Sequence, residues 1–315
     1  MDYNHFVFWI IFSVVISIML FIDLYATEHR HGKMSFKKSI IWTGVWIMVA
    51  LIFNLIIYMF FEDGHDMAVQ FLSAYIVEKS LSVDNLFVFI MIFNVMQMPE
   101  ENQPHILKWG ILSAVVFRVI FILAGMALLH YFHPIIFVFG ILLFYAAYKI
   151  AFTEDKPMDV ENNRILKFMQ KRFKLMPDYK GPLFFIKNNQ GRFITPAFLT
   201  LVLIETSDIM FAVDSIPAVL AITNDTFIAI TSNIFAILGL RALYFALAGI
   251  MDLFKFLKYG VALILAFVGA KMVLPDLLGP QFVISTQVSL LVILSVLTLS
   301  IIISLLSSKN KGIDN

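Results

Sequence analysis

Cysteine is absent from all 315 residues, which excludes disulfides, thiolate metal sites and cysteine nucleophiles at once. Charge is scarce too: Asp, Glu, Lys and Arg make up only 14% of the chain, against 60% hydrophobic residues. The formal net charge is +1, and the basic residues sit between apolar runs, so nothing points to nucleic acid. Neither a glycine-rich nucleotide loop nor a nucleophile beside a base is visible, which argues against an intramembrane hydrolase. The histidines His5, His29, His31, His65, His105, His130 and His133 all fall at the ends of apolar runs or between them. Their spacing is not that of metal ligands.

What is abundant is apolar length. Mean hydropathy is +0.88, and runs long enough to cross a hydrocarbon core of about 30 Å as helices recur along the chain. Nine such spans are expected, at 5–26, 40–61, 67–96, 106–130, 134–152, 196–222, 226–250, 257–275 and 285–307. The fold class is therefore all-α, a polytopic helical membrane protein forming a single integral membrane domain over 1–315. The first span lacks a basic leader and a small-residue cleavage site and ends in Asp23, so it reads as a retained helix.

Lys and Arg alternate between loops. Arg30, Lys33, Lys37 and Lys38 follow the first span, nine basic residues fall in 153–195, Lys255 and Lys258 follow the seventh span, and Lys309 and Lys311 close the chain. Residues 62–66, 131–133, 223–225 and 276–284 have none. An excess of basic residues marks cytoplasmic loops, which predicts the N-terminus outside and the C-terminus in the cytoplasm. The connection after the third span, with Lys108 as its nearby base, is the weakest fit. The 153–195 loop is either a basic amphipathic helix over 164–176 lying on the cytoplasmic leaflet or a solvated connector with a short helix.

An acidic motif appears twice inside the apolar spans. Glu78-Lys-Ser-Leu-Ser-Val-Asp84-Asn85 aligns without a gap, 130 residues on, with Asp208-Ile-Met-Phe-Ala-Val-Asp214-Ser215. The likeness extends to later spans: Arg118 matches Arg241, and Lys149 matches Lys271. Residues 67–152 and 196–275 thus read as two related units. Three spans per unit make them inverted repeats, an arrangement that places transporter sites near the bilayer midplane.

Helical spacing puts Tyr75, Glu78, Ser82 and Asn85 on one stripe and Glu205, Asp208, Ala212 and Ser215 on another. Asp84 and Asp214 border these stripes, and Pro217 is expected to kink its helix beside Asp214. An acid at a helix centre costs roughly 2.5 to 3.5 kcal/mol, so Glu78, Asp84, Glu205, Asp208 and Asp214 together represent about 12 to 17 kcal/mol. Pairing of Asp84 with Arg118 and of Asp214 with Arg241 would account for part of this. Lys149 and Lys271 lie near helix ends, where they can snorkel, so Glu78, Glu205 and Asp208 stay in surplus. Each Val-Asp aspartate serves as ligand, arginine partner or both in turn.

Surplus carboxylates in lipid call for protons or a bound cation. The donors are all oxygen, from carboxylates, Asn85, Asn233, Ser80, Thr206, Ser207 and backbone carbonyls, a set suited to Mg²⁺, Ca²⁺ or Mn²⁺.

These motifs, with Glu205-Thr-Ser-Asp-Ile-Met-Phe-Ala-Val-Asp-Ser-Ile-Pro-Ala-Val and Thr231-Ser-Asn-Ile-Phe-Ala-Ile-Leu-Gly-Leu-Arg-Ala-Leu-Tyr-Phe, resemble the TerC family of bacterial integral membrane proteins, most closely its Alx-type branch. The resemblance runs from the first span to the ninth, with no departure at the acidic positions. It implies a manganese(II) exporter of the bacterial cytoplasmic membrane, without a resident cofactor, whose ion path is lined by Glu78, Asp84, Glu205, Asp208 and Asp214 with Asn85 and Asn233. A different expectation is an accessory membrane protein of a tellurium or metal stress-response or secretion assembly, its acid–arginine pairs only locking helices together.

Overall fold

A backbone in lipid has no water to bond, so it satisfies its own polar groups by winding into helices. The computed structural model describes residues 3–23, 34–132, 134–152, 167–169, 172–176, 181, 183–188, 191–248 and 256–311. Its helices are α1 (Tyr3–Phe21), α2 (Phe36–Phe60), α3 (Gly64–Val95), α4 (Gln103–Tyr131), α5 (Ile135–Phe152), α6 (Pro196–Leu220), α7 (Thr226–Ile237), α8 (Leu240–Ala248), α9 (Leu257–Leu278) and α10 (Thr286–Lys311).

Each expected span corresponds to a helix or, at 226–250, to a pair of helices, but fewer than nine meet the length and apolarity that crossing a membrane requires. Among the described residues, six helices (α2, α4, α5, α6, α9 and α10) are long and apolar enough to cross a membrane, and α7 with α8 makes a seventh as a pair bent by 42°. α1 counts as a shorter apolar helix over Phe8–Phe21. α3 has 32 residues but carries Glu78, Lys79 and Asp84 in its middle, because it runs through the polar centre and not along the lipid.

The bend lies where the sequence reads as one continuous span. Gly239 sits there at φ +76, a conformation that costs a residue with a side chain about 1 to 2 kcal/mol. A side chain would also collide with Trp46 of α2. α6, by contrast, stays helical through Pro217, so the break falls one helix later than the proline suggests.

The 153–195 segment adds a feature outside the all-α expectation. β1 (Lys174–Leu175), β2 (Phe185–Asn188) and β3 (Gly191–Ile194) form a sheet of order β1-β3-β2, parallel for β1 with β3 and antiparallel for β2 with β3. Within the expected helix over 164–176, residues 167–169 and 172 are helical and the chain turns to strand at Lys174, while residues 164–166 and 170–171 lie outside the described residues. Phe184 packs on His105, Trp109 and Phe198, which docks the sheet at the starts of α4 and α6. Thr195 caps α6, accepting from Phe198 N at 3.3 Å.

Packing relates the two three-helix units. α4 lies on α6 and α3 on α7, α5 touches α6 and α9 touches α3, and α5 pairs with α9. α4 is unbroken, whereas α7–α8, its counterpart in the sequence alignment, is broken.

Two apolar clusters fill the interior. One gathers Phe12, Phe53, Phe71, Ile122, Ile216 and Phe235; the other gathers Phe89, Phe93, Ile111, Leu203, Leu240 and Tyr244. Ser113 and Arg118 on α4, and Glu205 and Asp208 on α6, fall between the stretches that feed these clusters. Met48, Leu55 and Met59 of α2 and Leu291, Leu299 and Leu306 of α10 stay exposed, as suits a surface facing acyl chains.

Candidate functional site

Helical periodicity places the first stripe correctly, since Tyr75, Glu78, Ser82 and Asn85 of α3 are all buried. On α6, Asp208, Ala212 and Ser215 are buried and Glu205 is half-buried. α3 and α6 pack on one another and both meet α4 or its neighbours, so the stripes converge on Arg118.

Arg118 is 1% exposed and forms an ion pair with Glu78 Oε1, a group that is 0% exposed. Its Nη2 donates to Asp208 Oδ1 at 3.4 Å and its Nη1 to Ser215 Oγ at 3.3 Å. Nearer the start of α4, Ser113 Oγ donates to Glu205 Oε1 at 2.5 Å. One arginine and one serine thus hold three carboxylates from two other helices.

Only one of the two expected pairings falls within the described residues. Arg118 is taken by Glu78 and Asp208, while the side chain of Asp84 lies outside the described residues. Asp214 is half-buried at the edge, and the cation acting on it is Lys149 of α5, not Arg241. Arg241 donates from Nη2 to the backbone carbonyl of Asp23, at the end of α1.

Several polar atoms remain without a hydrogen-bond partner among the described residues: Glu78 Oε2, Glu205 Oε2, Asp208 Oδ2, Arg118 Nε, Ser82 Oγ, Tyr75 OH and both amide atoms of Asn233. Buried polar groups are normally paired, and of this set Glu78, Asp208 and Arg118 lie together. Asn85 and Asn233 are buried, with no described contact tying Asn233 to the Arg118 group. Ser80, Thr206 and Ser207 are spent within their own helices, bonding to Ile76, Val202 and Leu203 carbonyls. No three Asp, Glu or His side chains among the described residues come together as a metal-holding group, and Arg118 lies between Glu78 and Asp208.

Comparison with known proteins now decides the family. Residues 63–312 match the family described as "Integral membrane protein TerC family", a stretch holding every residue of this site. The chain belongs to the TerC family. An uncharacterised membrane protein of Myxococcus xanthus is 39% identical over 302 residues, covering 96% of this chain and 93% of its own. A second from Rickettsia felis is 38% identical, covering 95% and 97%. An Escherichia coli K12 protein provisionally named membrane-bound redox modulator Alx is 38% identical over 303 residues, covering 94% and 93%. No solved structure matches.

This TerC protein holds a second polar group that sequence reasoning missed. Lys79, next to Glu78 but about 100° around α3, donates from Nζ to the carbonyls of Ala236 at 3.0 Å and Leu238 at 3.1 Å. These carbonyls lose their helical donors at the α7–α8 break. The break is further held by Tyr244 of α8, which donates to Gln103 Oε1 at 2.8 Å. The available signal was a lone lysine in mid-span paired with a lone glycine in an apolar run.

Proposed function

We propose that this TerC protein is a secondary transporter of divalent metal cations, with manganese(II) as cargo and export from the cytoplasm as its direction. The observation that carries the reading is a charge surplus. Glu78, Glu205 and Asp208 share the interior with Arg118, and each acid keeps one oxygen without a protein partner. Ionised, the group carries a net charge of −2, which one divalent ion neutralises. An uncompensated buried carboxylate is too costly to keep as decoration.

Oxygen donors without sulfur or imidazole favour hard cations. Manganese and the outward direction come from the family resemblance. Read as inverted repeats, the two three-helix units of the sequence would support alternating access, and the broken α7–α8 pair supports a site at mid-membrane. The cytoplasmic membrane of a bacterium, with the N-terminus outside, is the setting that the Lys and Arg distribution fits. The E. coli relative's name speaks of redox modulation; a thiol version of that role is closed to a chain with no cysteine.

One observation favours a second reading. Arg118 ties α3, α4 and α6 together, as an accessory protein with a purely structural lock would require. Cellular manganese separates the two. In a bacterium lacking its own manganese exporter, the parent chain should lower manganese content under manganese load and Asp208→Asn should not. Equal content with a correctly inserted variant would favour the structural lock.

A further inference from the structure

Arg118 does more than neutralise acids in this arrangement. Its two terminal nitrogens reach oxygens of Glu78 and Asp208, the carboxylates on facing helices that a bridging cation would use. The side chains of Arg118 and Glu78 are 1% and 0% exposed and that of Asp208 is 7% exposed, so the three are shielded from bulk solvent. We infer that Arg118 is a tethered occupant of the cation site: its guanidinium and a divalent ion bind the Glu78–Asp208 pair in alternation, never together. The inference rests on the transporter reading above and adds how its site is regulated.

Two like charges confined between the same two carboxylates repel strongly where solvent is excluded. For an ion to enter, the guanidinium leaves the carboxylate oxygens. The structure provides a place to retreat: Nη1 already donates to Ser215 Oγ, two turns along α6 from Asp208. Glu78 Oε2 and Asp208 Oδ2, unpartnered while the guanidinium is in place, then complete an oxygen set around the ion. When the ion leaves, Arg118 returns, so the buried acids are never left bare. A site refilled by its own arginine also resists idle reloading from the side just vacated.

The test is Mn²⁺ binding to the full-length protein in nanodiscs, followed by the loss of free Mn²⁺ signal in electron paramagnetic resonance, for the parent, Arg118→Gln, Arg118→Ala and Arg118→Lys. Removing the competitor should tighten Mn²⁺ binding at least tenfold in Arg118→Gln. Free guanidinium at low millimolar concentration should displace Mn²⁺ from Arg118→Ala and not from the parent. Arg118→Lys, which keeps the charge and guards against misfolding, cannot fork to both acids and should bind with intermediate strength. If Arg118→Lys binds Mn²⁺ no more tightly than the parent, and free guanidinium leaves Arg118→Ala unaffected, the arginine supports the site and the inference fails while the transporter reading stands. If neither the parent nor any variant binds Mn²⁺, both fail.

Discussion

Lys79 donates to the backbone carbonyl of Leu238 at 3.1 Å, one residue before the glycine at which the seventh span breaks. Ala236 is held by the same ammonium at 3.0 Å. Carbonyls freed inside lipid find no water, and each left bare costs several kcal/mol. Glu78 and Lys79 therefore turn α3 into a hub, serving the arginine group on one face and the broken helix on the next.

Lys79→Met is expected to lower stability by about 3 kcal/mol, the range for losing hydrogen bonds from a charged donor to buried acceptors. Lys79→Arg should recover part of this. Thermal unfolding in detergent checks it, and an unchanged midpoint for Lys79→Met would mean that the break is satisfied some other way.

Gly239→Ala should destabilise by about 2 kcal/mol or more, since a Cβ at φ +76 is strained and meets the Trp46 ring. Combining it with Trp46→Ala relieves the collision but not the backbone strain. A double-mutant cycle should show a favourable coupling between the two changes, and strict additivity would count against the close approach.

Ser113→Ala removes the hydroxyl that donates to Glu205 at 2.5 Å. With its carboxylate no longer oriented, the KM for Mn²⁺ transport should rise several-fold with a smaller change in maximal rate, and Ser113→Thr should restore it. An unchanged KM would place Glu205 outside the ion path.

The inward stripes were legible because a period of 3.6 sorts faces whatever the partner helix does. Tyr75, Glu78, Ser82 and Asn85 are buried as their spacing predicts. Which acid meets which arginine was not legible, because that depends on the axial register between helices: Arg118 lies level with Glu78 and Asp208, and Arg241 donates to the Asp23 carbonyl. The bend itself hides behind a single glycine in an apolar run. The small sheet was missed for another reason. Phe185-Ile-Lys-Asn and Gly191-Arg-Phe-Ile flank a polar turn as a hairpin does, but the basic and apolar residues just before it suggest a helical period.

The most direct measurement of the central claim is Mn²⁺ flux into proteoliposomes containing the purified chain, comparing the parent with Asp208→Asn. Asp208 touches Arg118 and keeps a free oxygen, so the account predicts saturable flux by the parent and at least a tenfold loss in the variant, with both proteins folded and inserted equally. Equal flux in parent and variant, or none above empty liposomes in either, would contradict it.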